Sequence, residues 1–259
     1  MDYEPKEIRY YEEYTDDFVD SGKSEAKIPE SYKWYHTNKI YRFFSWTAYS
    51  LAFIFGFFHS RLALHTKVVG RKAFKKCKDT GFVLYGNHTQ TLGDVFSPTQ
   101  YVFPKRIFSV AGADNLELPV IGKIIPIIGG IVVPDSMEHM KLFLDAIKRH
   151  LEDGRAVVIY PEAHLWQNCT FVRPFPITSF RFPVMFDAPA FCMTTTYQKR
   201  RFGRKPKTTV YIDGPFYPDK TLKSKEAQRK LCEEIHETMV ERSKNSTYEY
   251  IRYVKKGSK

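Results

Sequence analysis

Phe82-Val-Leu-Tyr85 runs directly into Gly86-Asn-His-Thr-Gln-Thr-Leu-Gly-Asp94. Four consecutive apolar or aromatic residues are typical of a buried strand, and the glycine and polar residues that follow end it. In parallel α/β sheets, ligands bind beyond the carboxyl ends of the strands, so His88 is well placed for catalysis. A neutral imidazole can take a proton from an attacking hydroxyl, and a nearby carboxylate can fix its tautomer. By itself, this spacing also fits a histidine with a purely structural role.

Similar apolar, β-branched runs of strand length occur on both sides of this stretch. They cover residues 68–69, 106–110, 130–133, 156–160, 190–196 and 208–212. Helical periodicity is clearest over residues 137–151, and a second helix is predicted over residues 224–242. Strands that alternate with helices predict an α/β fold, here a sandwich with a mostly parallel central sheet.

The first 66 residues differ in composition from the rest. Residues 1–30 are dense in acidic residues and tyrosine, and they predict a polar N-terminal arm that need not be ordered. Residues 43–58 carry no charge and are mostly aromatic or aliphatic. We therefore predict an aromatic-rich helical membrane anchor over residues 31–66, followed by a catalytic α/β domain over residues 67–259.

The manner of this anchoring stays open. The uncharged run is shorter than the roughly 20 residues that a helix needs to cross a bilayer. An interfacial or re-entrant helix is favoured, while a short spanning helix and a buried core helix are the alternatives. Trp34, Tyr35, Tyr41 and Trp46 cluster at one end of the segment, as in an interfacial aromatic belt.

Composition and net charge indicate which classes of partner the protein binds. The chain has 259 residues, 16% of them aromatic, and a formal net charge of +11. Excess positive charge favours anionic partners, and abundant aromatics favour a membrane surface with anionic lipid, here at the cytoplasmic face. A basic run over residues 199–207, in a predicted hairpin loop, could hold anionic lipid or the phosphates of a donor. Nucleic acid is not expected, because no known reading motif is present.

Three further blocks follow the His88 region in order: Gly129-Gly-Ile-Val-Val133, Val157-Val-Ile-Tyr-Pro-Glu162 and Ala188-Pro-Ala-Phe191. Together with Asn87-His88 and Asp94, they resemble the four motifs of the lysophosphatidate acyltransferase-like family, which includes the glycerolphosphate acyltransferases. The likeness extends from about residue 67 to residue 214.

This resemblance implies an enzyme of phospholipid biosynthesis. It would move a fatty acyl group from acyl-CoA or acyl-carrier protein to a hydroxyl acceptor, a lipid or glycerolipid precursor. The resemblance assigns His88 as general base and Asp94 as its orienting partner, with direct attack on the thioester and with neither a cofactor nor a metal. Substrate-binding roles are expected for five further residues: Asn87, Gly130, Glu162, His164 and Arg173.

The chain departs from the family pattern in two ways. Five residues, not four, separate His88 from Asp94, so the loop between them must absorb one residue, and Gly93 is the obvious candidate. Asp135 and Leu165 occupy places where the family has phosphate-binding arginines. Other cations could take over that contact: Lys123, Arg173 and Arg181. The simpler inference is that the acceptor differs from the usual one or is held differently.

Two rival functions remain open at this level. A His–Asp pair can also activate water, which describes an acyl-thioester hydrolase. A catalytically silent membrane-binding protein could keep the fold; the missing arginines and the altered spacing are its best support, whereas the retention of both His88 and Asp94 argues against it. Cys169 is a weaker candidate nucleophile, because nothing nearby marks it as activated. The four cysteines have no metal-ligand spacing and indicate reduced, structural thiols.

Overall fold

The computed structural model describes residues 4–18, 28–117 and 121–257. In chain order its strands are β1 (Glu7–Tyr11), β2 (Lys67–Val69), β3 (Phe82–Gly86), β4 (Ile107–Ala111), β5 (Gly130–Val132), β6 (Ala156–Ile159), β7 (Ala190–Gln198), β8 (Lys207–Phe216) and β9 (Ile251–Lys255). Its α-helices are α1 (Lys39–Phe58), α2 (Gly93–Phe96), α3 (Pro98–Val102), α4 (Ile121–Ile128), α5 (Met137–Glu152), α6 (Arg181–Phe186) and α7 (Ser224–Ser243).

Within these ranges, seven strands form one sheet in the order β2-β8-β7-β3-β6-β4-β5. The five strands from β7 to β5 are parallel, whereas β8 pairs antiparallel with β7 and carries β2 with it. The predicted α/β fold with a mostly parallel sheet is therefore confirmed. The basic loop also lies where it was expected, at the turn between β7 and β8.

Alternating side chains of the central strand β3 build a core on each face of the sheet. Phe82 and Leu84 belong to one cluster, which α1, α3 and the 3₁₀ segment Arg71–Cys77 cover. Val83 and Tyr85 belong to the other, which α5 and α7 cover. All four side chains are fully buried, which explains why the strand reads as a continuous apolar run.

The polar N-terminal arm predicted over residues 1–30 is partly ordered, because it contains strand β1. β1 pairs in parallel with β9, so that Glu7 lies opposite Ile251 and Tyr11 opposite Lys255. Tyr11 packs with Trp166 and Tyr253 in a small third core. Residues 1–3 and 19–27 lie outside the described residues.

Helix α1 coincides with the predicted anchor segment, and a π-helical turn (His59–Ala63) extends it. It lies against α2, α3 and α4, and it turns small or hydrogen-bonding residues inward: Ser45, Tyr49, Gly56 and Ser60 are buried. Its large apolar side chains face outward, so the alternative of a buried core helix is wrong. None of the helices in the described residues combines the length and the apolar character that crossing a bilayer requires.

Candidate active site

His88 and Asp94 lie in contact just beyond the carboxyl end of β3. The Nδ1 atom of His88 is 2.8 Å from Asp94 Oδ2. The same oxygen accepts hydrogen bonds from the backbone N–H groups of Thr89 and Gln90, each at 2.8 Å. The predicted proximity of the two side chains is therefore confirmed despite the longer spacing.

The extra residue is accommodated in the loop, because helix α2 begins only at Gly93 and not directly after His88. The role expected for Gly93 is nevertheless wrong, since its φ lies outside the left-handed region. Glycine is required for space: a Cβ at this position would lie 2.2 Å from Oε1 and 2.8 Å from Cβ of the buried Gln90. Gln90 itself is tied to Thr208 on β8.

The His88 ring is oriented on two sides. A carboxylate can only accept, so Nδ1 carries the proton and Nε2 keeps its lone pair. Tyr160, the first residue after β6, stacks on the imidazole at 4.7 Å and donates its hydroxyl to the Asp94 carbonyl oxygen at 2.6 Å. Burial raises the pKa of the Tyr160 phenol well above its usual value. The His88 side chain is 24% exposed and that of Asp94 only 5%, so the histidine is accessible to solvent and its partner is not.

Glu162 lies beneath the site and does not face it. Its Oε2 accepts the backbone N–H of His88 at 2.9 Å and a guanidinium N–H of Arg173, also at 2.9 Å. Its Oε1 accepts the Arg173 backbone N–H at 2.8 Å. This pair therefore holds the backbone of His88, and the expectation that Glu162 binds substrate directly is not what the contacts show.

Arg173 is likewise unavailable to a substrate phosphate, which corrects its predicted role. Its side chain is 1% exposed and lies over the ring of Trp166 at 4.5 Å. The guanidinium also donates to the carbonyl oxygens of Tyr14 and His164. Trp166 in turn donates to the carbonyl of Asp16 at 2.8 Å, so residues 14–16 of the N-terminal segment are held to the floor of the site.

Asn87 and Gly130 are also placed differently from the prediction. The buried amide of Asn87 bonds to both backbone groups of Thr195, accepting at 2.8 Å and donating at 3.0 Å, and so joins β3 to β7. Gly130 begins the edge strand β5, which two strands separate from β3, and a Cβ at this position would meet Ile125. Its absence of a side chain serves packing against α4.

His164 lies close in sequence to the site, but its ring faces the N-terminal segment. Its Nδ1 is 3.7 Å from a carboxylate oxygen of Asp17. Cys169 is buried, and burial together with Glu162 raises the pKa of its thiol. This environment is the opposite of that of an activated cysteine. The cysteines of the described residues are all buried and unpaired.

Most of the residues considered for binding a substrate phosphate are engaged in other contacts. Asp135 accepts from the His139 ring and from the Ile28 backbone N–H, and these contacts hold the pKa of its carboxyl below the usual value. Arg181 packs on the sulfur of Met140, and burial lowers its pKa. Of the three cations proposed to compensate, Lys123 alone is exposed in the described part of the chain.

Sequence reasoning missed two features of this site. The first is the hydroxyl of Tyr160, within the block Val157–Glu162, which donates to the Asp94 carbonyl oxygen. The second is the ion pair of Glu162 with Arg173, in which Glu162 also accepts the His88 backbone N–H. No signal in the sequence marked this pair, because an irregular loop separates the two residues.

Comparisons with known proteins show the family and the fold of the chain. The family model described as Acyltransferase matches residues 65–196, about half of the chain. The chain belongs to the acyltransferase family. A solved structure, the 1-acyl-sn-glycerophosphate (LPA) acyltransferase PlsC from Thermotoga maritima, aligns with a TM-score of 0.50 and 18% identity. The alignment covers 80% of this acyltransferase and 79% of that chain, and it shows that the two share a fold. A search of curated proteins gives no significant match.

Proposed function

We propose that this acyltransferase moves a fatty acyl group from an acyl thioester, acyl-CoA or acyl-carrier protein, to the hydroxyl of a lipid or glycerolipid precursor. The observation that supports this most strongly is the 2.8 Å contact between His88 Nδ1 and Asp94 beyond the carboxyl end of β3. It leaves Nε2 of a partly exposed imidazole as a base, in the setting that general-base catalysis requires.

In the proposed reaction, His88 Nε2 takes the proton of the acceptor hydroxyl while the oxygen attacks the thioester carbonyl carbon. The carbon–sulfur bond then breaks, and the departing thiolate takes the proton back from the imidazolium. Asp94 stabilises the imidazolium between these steps, and its three hydrogen bonds fix its position. Tyr160 restricts the ring to one orientation, and Glu162 holds the backbone from which the ring projects.

We also propose that the protein works at a membrane surface, through α1. Its outward side chains include Phe43, Phe44, Trp46 and Leu51, each about two-thirds exposed. A surface helix in water turns its apolar stripe toward the core, whereas α1 turns the polar residues Ser45 and Tyr49 inward. Such an inverted helix is stabilised by hydrocarbon on its outer side, which fits an interfacial anchor.

The active site lies next to this apolar face. Phe55 on α1 contacts Phe96 at the end of α2, the helix that carries Asp94. Leu92 and Val95, on either side of Asp94, are both exposed. A lipid acceptor could therefore present its hydroxyl to His88 while its chains remain in the membrane. The basic loop over residues 199–206 bonds to the Ala63 carbonyl at the end of this helical segment and could contact anionic lipid or donor phosphates.

Thiol release from long-chain acyl-CoA, with and without candidate acceptors in mixed micelles, tests the proposal. His88→Ala should remove turnover, and His164→Ala is the matched control, because that ring faces the N-terminal segment. Acceptor-independent, His88-dependent thiol release would identify a hydrolase. A folded, membrane-bound protein without turnover for any donor, acyl-carrier protein included, would favour the catalytically silent alternative.

A further inference from the structure

A polar cavity lies near the amino ends of β4, β5 and β6, at the edge of the sheet opposite to His88. Arg106 immediately precedes β4, Arg155 immediately precedes β6 and Gly130 begins β5. Together with residues from the segment before and at the start of α1, they line a cavity of about 40 Å³. It adjoins an open groove of about 480 Å³, with which it shares Lys33.

The lining of this cavity is strongly basic. Four cationic side chains contribute: Lys33, Arg42, Arg106 and Arg155. None of the described residues that line it is acidic. Asp153 pairs with Arg155 from outside at 3.0 Å and so offsets one of the four charges. An excess of about three positive charges therefore surrounds a space large enough for a few atoms.

Two buried N–H groups in this lining have no partner within the described part of the chain. Arg155 donates to Nδ1 of His150 at 2.9 Å, so the neutral imidazole carries its proton on Nε2. Burial, with Arg155 and Arg106 beside it, lowers the pKa of His150 to about 3, so the ring is neutral near pH 7. Its Nε2 is buried and unbonded, and so is Nε of Arg106. Buried donors of this kind are uncommon and point to an absent acceptor.

We propose that this cavity binds a phosphate group. A phosphate group offers several strong acceptor oxygens and one negative charge as a diester or up to two as the free ion. These oxygens match guanidinium forks and unpaired N–H donors better than a monovalent halide does. Aromatic rings support the cations from behind, since Arg106 lies over Tyr49 at 4.8 Å and Arg155 over Phe108 at 5.3 Å. The two arginines are therefore held in place before any anion arrives.

The adjoining groove indicates two sources for this phosphate. Ile40 and Phe44, on the outer side of α1, line the groove and are strongly exposed. A phospholipid could place its headgroup in the basic cavity and its chain along these residues, while free phosphate could occupy the cavity alone. The cavity is separate from the proposed active site, because the two lie at opposite ends of β6, a strand about 13 Å long.

The test uses the full-length protein in a phosphate-free neutral detergent. Calorimetric titration with inorganic phosphate and with dihexanoyl phosphatidylglycerol is carried out at constant ionic strength. Lys33→Ser/Arg42→Ser removes two exposed charges from the cavity, and Lys225→Ser/Arg229→Ser removes two exposed charges from α7 as the matched control. We expect saturable binding that weakens about tenfold or more in the first variant and is unchanged in the second.

Each outcome of these titrations either supports or overturns the proposed phosphate site. Tighter binding of the short-chain lipid assigns a headgroup to the cavity, and tighter binding of inorganic phosphate assigns the free ion; both support the proposal. Absence of saturable binding with both probes would overturn it. Equal affinity of the wild type and the Lys33→Ser/Arg42→Ser variant would also overturn it, because binding would then take place elsewhere.

Discussion

The carboxylate of Glu162 and the guanidinium of Arg173 form a buried ion pair at 2.9 Å, and both side chains are 1% exposed. Removing one partner of such a pair leaves an uncompensated buried charge, which typically costs about 3–5 kcal/mol. Arg173→Met should therefore lower the free energy of unfolding by about that amount, as measured by urea titration of the full-length protein. Since Glu162 holds the His88 backbone, we expect turnover to fall as well.

The double variant Glu162→Gln/Arg173→Met separates charge from packing. The amide oxygen of glutamine can still accept the His88 N–H, and no buried charge remains. We expect the double variant to be more stable than Arg173→Met alone. If Arg173→Met costs less than about 1 kcal/mol, the pair is less important to the site than its burial indicates.

Asp94→Asn tests the charge of this residue separately from its geometry. The backbone N–H groups of Thr89 and Gln90 point at one oxygen, so the amide oxygen of asparagine should take that place and keep the His88 tautomer. Loss of the negative charge should still lower kcat by about 100-fold or more, with little change in KM. Steady-state thiol release measures both constants. A variant with wild-type kcat would mean that Asp94 acts only as a structural acceptor.

His150 should make the protein less stable in mild acid. Its pKa is about 3 in the folded chain, compared with roughly 6.5 for an unfolded histidine. Between these values the unfolded state binds a proton that the folded state does not, so this stability is complete above about pH 6.5 and is lost as the pH falls toward 3. Between pH 7.5 and 5 the loss should be about 2 kcal/mol.

Urea unfolding at both pH values measures this difference. His150→Phe keeps a ring against Phe108 and should reduce the pH dependence by about the same amount. His164→Phe, at a site more than a third exposed, serves as the control. An unchanged pH dependence in His150→Phe would show that other groups cause it; burial lowers the pKa of His36 and His59 in the same direction.

Much of the fold was predictable, because most strands of the main sheet contain a local apolar or β-branched run and α5 has a clear apolar face. β1 was not, since its residues are polar and tyrosine-rich and its partner β9 lies at the other end of the sequence. Its stability comes from Tyr11, Trp166 and Tyr253, which only the folded chain brings together.

The functional residues also include some that local sequence predicts and others that only the fold brings together. The His88–Asp94 contact followed from a strand end and a short spacing along the chain. The basic cavity did not, because Lys33, Arg106 and Arg155 are far apart in sequence and meet only where β4 and β6 begin. Single charged residues before strands are ordinary, and their convergence depends on the strand order.

The exposed face of α1 predicts how the protein contacts lipid. Trp46→Glu/Leu51→Glu replaces two side chains that are 64% and 65% exposed, so the fold should remain intact. Burying one such side chain in hydrocarbon contributes about 1.5–3 kcal/mol, and the added charges repel anionic lipid. Flotation with anionic liposomes should therefore recover at least about tenfold less of this variant than of the wild type.

Met137→Glu/Met185→Glu is the matched control, because these side chains are also exposed and lie on α5 and α6. It should float like the wild type. These point variants are preferable to deletion of residues 1–66, which would remove Trp34 and Tyr49 from the core. Equal flotation of the α1 variant and the control would exclude α1 as the contact surface.

The choice of acyl acceptor should depend on the two positions, Asp135 and Leu165, at which the chain lacks the arginine of the family pattern. Asp135 is already bonded to Ile28 and His139, Leu165 cannot bind phosphate, and Arg173 is buried against Glu162. A hydrogen bond to a charged group contributes about 1.5–3 kcal/mol, so losing two such bonds should weaken binding of a phosphate monoester at least about 100-fold. We expect glycerol 3-phosphate and lysophosphatidate to be poor acceptors compared with monoacylglycerol.

Leu165→Arg tests the same prediction in the opposite direction, because it restores one of the two missing arginines at a partly exposed position. It should raise kcat/KM for lysophosphatidate by about tenfold and leave monoacylglycerol unaffected, whereas Leu165→Met should change neither. Thiol release with each acceptor, corrected with His88→Ala, measures both values. Efficient acylation of lysophosphatidate by the wild type would contradict the prediction and direct attention to Lys123, the exposed cation on α4. Lys123→Ser should then weaken this acylation, because Arg173 and Arg181 are held by other contacts.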